Sequence, residues 1–361
     1  MKDIKDIREK INDIDSKMRE LFIERMMCAK DVAEYKAAHG LPILDSKREA
    51  EVIEKNTSML DSEELKPYYV NFLQGNMAVS RAYQDMLTEG VKVAYSGTAG
   101  AFAYIAACKL FPTARKVAFP NFESAYQACV DGECDSVVLP IENSYNGEVG
   151  AVTDLMFSGP LAVNAMIDVD ISHCLIGTAD SSIGDIRRVA SHPQALAQCK
   201  SYILDHGFDE EEYENTALAA KMVADNNDKT LGAIGSESAA AIFGLKVLEK
   251  NINESKSNTT RFAVFSRSAH THNKNATGIY SILLFTVRNE AGSLAKALDI
   301  IGKHGFNMRT LRSRPMKELM WQYYFYIEAE GNVDSKEGQR MLEDLKEYCD
   351  RLKVVGSYTK D

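Results

Sequence analysis

The sequence predicts a multidomain protein with an all-α helical segment, a two-lobed α/β segment and an α+β ferredoxin-like segment, in that order. Three observations carry this prediction. A heptad-like apolar stripe runs along the N-terminal part, short apolar strands alternate with helices in the middle, and the last part reads βαββαβ. A chain of 361 residues has room for two or three domains, which we place at 1–89, 91–270 and 276–361.

The composition is that of an ordinary globular protein, with 45% hydrophobic and 26% charged residues. The net charge of −10 argues against a nucleic-acid partner, and no apolar run is long enough to cross a membrane. The first residues lack the apolar core of a signal peptide. Seven scattered cysteines without a Cys-x-x-Cys pair favour free thiols. We therefore expect a cytoplasmic protein without a metal site.

The first helix carries a cation where its packing face should be apolar. Its stripe runs from Ile4 to Tyr35 in alternating steps of three and four residues, and Arg25 takes one of these positions. An unpaired cation in such a seam is costly, so Arg25 needs a protein carboxylate or an anionic ligand. Lys36 lies about three turns later on the same face. Together the two side chains could hold one small anion.

Arg8 cannot reach Arg25 along the same helix. It lies about 26 Å away along the axis and points about 100° away. If Arg8 serves the same pocket, it comes from a second chain, so the periodicity suggests an interlocked helical dimer. Cations on long helices are more often solvated or paired along the surface, and for Arg8 and Lys36 this alternative stays open.

The helical segment has recognisable ends. Gly40 and Pro42 stop the first helix, Asp45 is a plausible N-cap for the second, and Pro67 lies in the first turn of the third. In the middle segment we expect a mostly parallel sheet and two lobes around a cleft. Residues 270–278 are polar and are typical of a linker.

Residues 1–89 resemble the helical class of chorismate mutases. The match is carried by Arg8, Arg25, Lys36, Asp45, Arg48, Glu49, Ser80 and Gln84. In that family the dimer interlocks and one arginine crosses from the partner subunit. The resemblance implies that the three arginines hold carboxylates and that Ser80 lies in the substrate site. It assigns Lys36 and Gln84 to the ether oxygen, while Glu49 and Asp45 hold the substrate hydroxyl or orient Arg48. A pericyclic rearrangement needs only positioning and charge stabilisation.

Residues 91–268 resemble prephenate dehydratases, whose fold is two-lobed and periplasmic-binding-protein-like. The motifs are Gly97-x-x-Gly100, Pro140-Ile-Glu142-Asn143-Ser144, Ser191-His192-Pro193-Gln194 with Gln198, Asn215-Thr216, Gly235-Ser236-Glu237 and Thr260-Arg261-Phe262. Departure of hydroxide needs a donor, and the resemblance implies that Thr260 is that donor, with Glu142 the nearest candidate source of a proton. It implies that the substrate binds Asn143, Ser144, Ser191, Gln198 and Thr216. Arg261 pairs with a carboxylate or braces the sheet. Thr98 and Ala103 depart from the family pattern.

Residues 276–361 resemble the ACT-type regulatory domain of these enzymes. The resemblance implies an effector site at Gly292, Ser293, Leu294, Ser313 and Arg314, with L-phenylalanine the expected effector. Arg312 stands where the family has a glutamate. A plain dimerisation module is the alternative.

These resemblances predict a homodimeric or larger enzyme that converts chorismate to prephenate and prephenate to phenylpyruvate, is inhibited by phenylalanine, and needs no metal or organic cofactor. Two alternatives stay open. One is a dehydratase with a vestigial mutase domain, acting on prephenate or arogenate. The other is a non-catalytic amino-acid sensor.

Overall fold

The computed structural model describes residues 3–255, 257–288, 290–316 and 323–360. It divides into two compact units, Met1–Lys92 and Val93–Asp361. The first unit contains α1 (Ile4–His39), α2 (Ser46–Ser58) and α3 (Lys66–Glu89). α1 ends at Gly40, which adopts a left-handed φ of 62°, and the Asp45 side chain caps α2 by accepting the Arg48 backbone N–H. Both ends agree with the sequence prediction.

Helix α1 is covered along only part of its length. Ala29 and Ala33 are buried, and Met77 is buried on α3, with which α1 packs. The N-terminal stripe is exposed by between 39% and 63% of each side chain; it consists of Ile4, Ile7, Ile11, Ile14, Met18 and Leu21. An apolar seam of this length has no packing partner among the described residues of one chain.

The first lobe of the second unit is built on one sheet. Its strands are β1 (Lys92–Ser96), β2 (Arg115–Phe119), β3 (Ser136–Asn143), β4 (Gly147–Glu148), β5 (Ala162–Asp170) and β11 (Thr259–Ser266). Its helices are α4 (Phe102–Leu110), α5 (Phe122–Val130) and α6 (Gly150–Ser158).

The second lobe has its own five-stranded sheet. Its strands are β6 (Cys174–Gly177), β7 (Arg188–Ser191), β8 (Asp209–Glu212), β9 (Leu231–Gly235) and β10 (Lys246–Glu249), in the order β10-β6-β9-β7-β8. Its helices are α7 (Pro193–Gln198), α8 (Lys200–His206), α9 (Thr216–Asn226) and α10 (Glu237–Ile242). The two sheets form the two predicted lobes.

The prediction of a mostly parallel sheet is wrong for the first lobe. β11 lies between β3 and β5 and is antiparallel to both, while β1 is parallel to β3. The chain leaves this lobe through β5 and returns through β11. A strand that returns beside the strand that left must run in the opposite direction, and this connection decides the sheet type.

The C-terminal part follows the predicted βαββαβ order. Its elements are β12 (Ile279–Val287), α11 (Ser293–Lys303), β13 (Asn307–Pro315), β14 (Tyr323–Glu330), α12 (Lys336–Lys346) and β15 (Cys349–Thr359). The antiparallel strands lie in the order β13-β14-β12-β15, which is the ferredoxin-like arrangement. The two helices cover one face of this sheet, and the other face joins the core of the first lobe.

One sheet continues from the C-terminal part into the first lobe. β15 pairs with β5 in parallel, at Gly356 and Val163. A Cβ on Gly356 would overlap the carbonyl oxygen of Val163, so the close approach of the two backbones requires glycine. None of the helices in the described ranges has the length and hydropathy of a membrane span.

Candidate active sites

Arg25 lies at the contact between α1 and α3. Its guanidinium donates to Ser80 Oγ and, over 3.2 Å, to the carbonyl oxygen of Asn76. These oxygens are neutral, and no carboxylate within the described ranges pairs with Arg25. The guanidinium charge of Arg25 is therefore not neutralised by an acid among the described residues.

Gln84 lies one turn after Ser80 on the same face of α3. Its side chain is 7% exposed, and its Oε1 has no hydrogen-bond partner among the described residues. A buried amide oxygen without a partner costs about 1–3 kcal/mol, which is typical of a site that a ligand completes. Lys36 Nζ donates to the Ile43 carbonyl oxygen over 2.5 Å, and no described acid neutralises it.

The acids of α2 do not orient Arg48 as one alternative implied. Asp45 bonds only the backbone N–H of Arg48, whose guanidinium lies 3.5 Å from Glu51. Glu49 pairs instead with Arg81, a residue that the sequence reasoning missed. The Arg48 side chain is 68% exposed and points to solvent within one chain.

A groove of 510 Å³ lies beside Arg25, lined by apolar residues of α1 and by α3; it includes Met18, Leu21, Phe22 and Phe72. Arg8 lies on the exposed half of α1, away from this groove. The structure therefore brings together Arg25, Ser80 and Gln84, but not Arg8.

Thr260 and Asn143 are direct partners across β11 and β3, with Asn143 Nδ2 2.8 Å from Thr260 Oγ1. The Asn143 amide has a fixed orientation because its Oδ1 accepts the backbone N–H groups of Tyr145 and Asn146, at 3.0 and 2.9 Å. Nδ2 must therefore donate to Thr260. The Thr260 hydroxyl accepts from Asn143 and keeps its own hydrogen for another acceptor.

A buried hydrogen-bond chain leads away from Asn143. Its Nδ2 also donates to Asn258 Oδ1 at 2.8 Å, and Asn258 Nδ2 donates to Gln198 Oε1 at 3.0 Å. His173 Nε2 lies 3.0 Å from the same oxygen of Gln198. Because that oxygen only accepts, His173 carries its hydrogen on Nε2. The chain thus fixes every amide between His173 and Thr260.

The sequence reasoning missed His173 and Asn258. His173 is 3% exposed, its Nδ1 has no partner in the described ranges, and burial lowers its pKa, so the ring is neutral. Both residues lie where the chain passes between the lobes, directly before β6 and β11. A polar residue at each of the two points where the chain passes between the lobes is the sequence signal that could have pointed to His173 and Asn258.

The other predicted dehydratase residues lie at the end of a strand or at the start of a helix. Ser191 is fully buried and donates to the Ile234 carbonyl oxygen over 2.6 Å. Ser144 Oγ accepts the Thr259 backbone N–H at 2.9 Å, and Thr216 begins α9. The structure therefore brings Asn143, Gln198 and Thr260 into one hydrogen-bonded group, while Ser191 and Thr216 lie on second-lobe elements.

The two lobes contact each other at Gly100. Ser236 Oγ donates to its carbonyl oxygen over 2.7 Å, and a Cβ at Gly100, which has a φ of 90°, would lie 2.8 Å from Ala239 Cα. Thr98 Oγ1 donates to Asn215 Oδ1 of the second lobe over 3.3 Å. The absence of a side chain at Gly100 therefore allows the two lobes to approach closely at this turn.

Glu142 and Arg261 face the opposite side of the sheet from Thr260. They are register partners directly beside the Thr260–Asn143 pair, so the alternation of side chains along each strand turns them to the other face, where both form ion pairs. Glu142 Oε1 lies 2.5 Å from Arg312 Nη2, and Arg261 lies 2.9 Å from Asp168. The structure does not bring Glu142 to Thr260, so this geometry does not support it as the proton source. Arg261 braces strands, which was one of its two expected roles.

Comparison with known proteins gives the family. Residues 7–85 match the family model described as chorismate mutase type II, and residues 93–270 match the model for prephenate dehydratase. A bifunctional chorismate mutase/prephenate dehydratase from Aquifex aeolicus is 31% identical over 100% of this chain and 99% of its own length. The chain belongs to the bifunctional chorismate mutase/prephenate dehydratase family. It is an enzyme with a domain of each kind.

Two solved structures resemble the dehydratase part of this bifunctional enzyme. A protein titled GqqA, a novel type of quorum quenching acylase, is 30% identical with a TM-score of 0.70, covering 75% of this chain and 98% of that one. The prephenate dehydratase of Arthrobacter aurescens, solved in complex with L-Phe, is 25% identical with a TM-score of 0.68, covering 75% and 90%.

The predicted effector residues of the bifunctional enzyme are separated into two groups. Gly292, with a φ of 86°, precedes α11, which begins with Ser293 and Leu294. Ser313 is exposed on β13, whereas Arg314 points to the other side and bonds Asp154 over 3.0 and 3.3 Å. Arg314 is therefore engaged within the chain. No cluster of three or more His, Cys, Asp or Glu side chains suited to a metal occurs in the described ranges.

Proposed function

We propose that Thr260 supplies the hydrogen bond to the departing hydroxide when the two-lobed domain converts prephenate to phenylpyruvate. The direction of the Asn143–Thr260 hydrogen bond carries this proposal, because it leaves the Thr260 hydroxyl hydrogen free for the substrate. The bond from the ring to the carboxylate breaks and carbon dioxide leaves. Its electron pair enters the ring, the ring–hydroxyl bond breaks, and hydroxide departs. Aromatisation drives the step.

In the helical domain, we propose that Arg25, Lys36 and Gln84 bind chorismate. The uncompensated charge of Arg25 suits a carboxylate, and the Gln84 amide, buried one turn after Ser80 on α3, can donate to the ether oxygen through its N–H₂ group. Positive and polar donors of this kind stabilise the charge that grows on the ether oxygen during rearrangement to prephenate. Ser80 holds Arg25 in place.

We infer that a second copy of the chain covers the exposed half of α1 and brings Arg8 to Arg25. The support is the long apolar seam, 39–63% exposed from Ile4 to Leu21, together with the groove beside Arg25. The chorismate site is then complete only in a dimer, and Arg48 closes on the ligand when it binds.

We propose L-phenylalanine as the effector of the C-terminal domain, which we take to be an ACT domain. Its ferredoxin-like topology and the dehydratase solved with L-Phe support this proposal. We also infer a cytoplasmic enzyme, since none of the seven cysteines, all among the described residues, is in a disulfide.

One assay separates the bifunctional enzyme from its rivals. Purified enzyme is given chorismate, and loss of chorismate and phenylpyruvate absorbance are followed with and without phenylalanine. Both reactions, slowed by phenylalanine at the second step, are expected. Turnover of prephenate or arogenate without turnover of chorismate would indicate a vestigial mutase, and no turnover of any of the three would indicate a sensor.

A further inference from the structure

Two arginines of β13 hold one hairpin of the first lobe. Arg312 and Arg314 are two residues apart and therefore point to the same side of the strand. Arg312 Nη2 lies 2.5 Å from Glu142 Oε1, and Arg314 Nη1 lies 3.8 Å from Glu148 Oε2. Glu142 and Glu148 are register partners in the β3–β4 hairpin. β13, the edge strand of the C-terminal domain, thus forms an ion pair with each of the two strands of this hairpin.

The same hairpin carries Asn143, the residue that orients Thr260. Asn143 follows Glu142 directly, and its side chain lies on the other side of the sheet, against Thr260. The turn of the hairpin supplies the Tyr145 and Asn146 N–H groups that fix the Asn143 amide. A displacement of the Glu142 backbone therefore moves the Asn143 amide, which donates a hydrogen bond to the Thr260 hydroxyl.

The Arg312–Glu142 pair is shielded from solvent well enough to hold its geometry. The Arg312 side chain is 18% exposed and that of Glu142 is 32% exposed. The guanidinium also lies 5.5 Å from the centre of the Tyr326 ring, which is almost fully buried. A glutamate at position 312 would place a second carboxylate against Glu142 and remove this ion pair.

We propose that Arg312 is a positioning residue for the dehydratase reaction. It holds Glu142 and thereby places the Asn143 amide against Thr260, so the C-terminal domain contributes directly to the rate in the first lobe. This inference rests on the proposed role of Thr260 in the dehydratase. Arg312, which replaces the glutamate of the family pattern, therefore helps to hold the dehydratase site in place in this chain.

The test compares Arg312 variants in the full chain, with steady-state dehydratase kinetics on prephenate and the mutase rate of the same preparation. R312Q should lower dehydratase kcat about tenfold or more, because small misplacements of a reacting group are costly, while KM changes by less than about threefold. R312K should retain most of kcat. The charge exchange R312E/E142K should recover much of the activity that R312E loses. The mutase rate should not change in any of them.

The matched control is R309E. Arg309 lies on the same strand but pairs with Glu330 within the C-terminal domain, at 2.6 Å. It should leave dehydratase kcat within about twofold of the wild type, as surface pairs contribute little. The inference is overturned if R312Q behaves like R309E, or if the charge exchange stays as slow as R312E. If the wild type itself forms no phenylpyruvate from prephenate, the proposed function fails instead. If R312E is the one variant that also loses mutase activity, R312E is misfolded. The comparison of dehydratase kcat between R312Q and R312K then tests the inference.

Discussion

The hydroxyl hydrogen of Thr260 is free to donate because the neighbouring Asn143 amide has a fixed orientation. Two backbone N–H groups hold the oxygen of Asn143, and this leaves its nitrogen facing Thr260. A threonine hydroxyl is a weak acid, so its contribution is a placed hydrogen bond and not a free proton. Two substitutions test this direction separately.

Thr260→Ala should lower dehydratase kcat at least about 100-fold, the usual effect of losing one preorganised donor. Thr260→Ser keeps the hydroxyl and is the matched control. Phenylpyruvate absorbance measures the dehydratase, and loss of chorismate measures the mutase, which should be unchanged. Parallel loss of both activities would mean that the substitution unfolds the protein.

Asn143→Asp should also stop the dehydratase while preserving the turn. One carboxylate oxygen still accepts the two backbone N–H groups, but the other now accepts the Thr260 hydrogen and withdraws it from the substrate. We expect a fall in kcat of about 100-fold or more, together with a lower melting temperature because the carboxylate no longer donates to Asn258 Oδ1. Wild-type kcat in this variant would refute the hydrogen-bond direction.

Lys36→Ala should nearly abolish mutase turnover, because it removes the cation that we propose stabilises the developing negative charge. Dehydratase activity on added prephenate should stay at the wild-type level. Lys30, paired with Glu34 along the surface of the same helix, supplies the control Lys30→Ala. A mutase that keeps most of its rate without Lys36 would remove that residue from the mechanism.

Individual residues were predictable where a motif placed them, and less so where a side chain's direction decided its role. Asn143, Gln198 and Thr260 were found from their motifs and do form one bonded group. Glu142 is in the same motif, but it turns toward Arg312. The alternation of side chains along β3 places Glu142 on the face opposite to Asn143, but no sequence pattern shows that Arg312 of β13 lies on that face.

At the scale of elements, local signals were reliable and long connections were not. The ends of α1 and α2, with Gly40 and Asp45, follow from capping chemistry that depends on near neighbours only. The antiparallel position of β11 depends on a return path of nearly ninety residues through the second lobe, which periodicity does not encode.

The two helices of the C-terminal domain are joined by a titratable residue. His304, at the end of α11, lies 2.6 Å from Glu337 and 2.8 Å from Asp344 of α12, and these carboxylates raise its pKa above the ordinary 6.5. A raised pKa stabilises the fold fully below pH 6.5 and loses that effect as the pH rises through the folded-state pKa. Since the ring is close to solvent, the gain is about 1 kcal/mol.

His304→Gln should therefore lower the melting temperature by a few degrees at pH 6 and by much less at pH 9. Thermal unfolding followed by circular dichroism at both pH values measures the difference. His206, whose ring bonds only the Tyr202 carbonyl among the described residues, gives the control His206→Gln. An equal loss at both pH values would show that the charge of His304 is not responsible.

For the whole molecule, the proposed dimer along the exposed seam of α1 would make dimerisation and mutase activity one property. If Arg8 and Arg25 of one site come from different chains, a mixture of Arg8→Ala and Arg25→Ala subunits contains heterodimers with one intact site. Each variant alone should be inactive as a mutase. After the subunits exchange, about a quarter of the wild-type rate should return.

This mixing experiment has an internal control, because dehydratase activity should stay constant throughout. No recovery after subunit exchange, checked by mass spectrometry of mixed species, would place Arg8 outside the site. Monomers in light scattering at assay concentration would contradict the dimer itself.

The unbroken sheet at Gly356 has a consequence for how the enzyme responds to cleavage. A protease that cuts the exposed stretch around Lys274 breaks the chain connection between the first lobe and the C-terminal domain. The backbone pairing of β15 with β5 and the ion pair between Arg312 and Glu142 of the β3–β4 hairpin remain. The two fragments should co-elute as a nicked particle that still turns over prephenate. Removing the C-terminal domain would then take truncation of the gene, because a domain attached in this way is also part of the structural support of the first lobe.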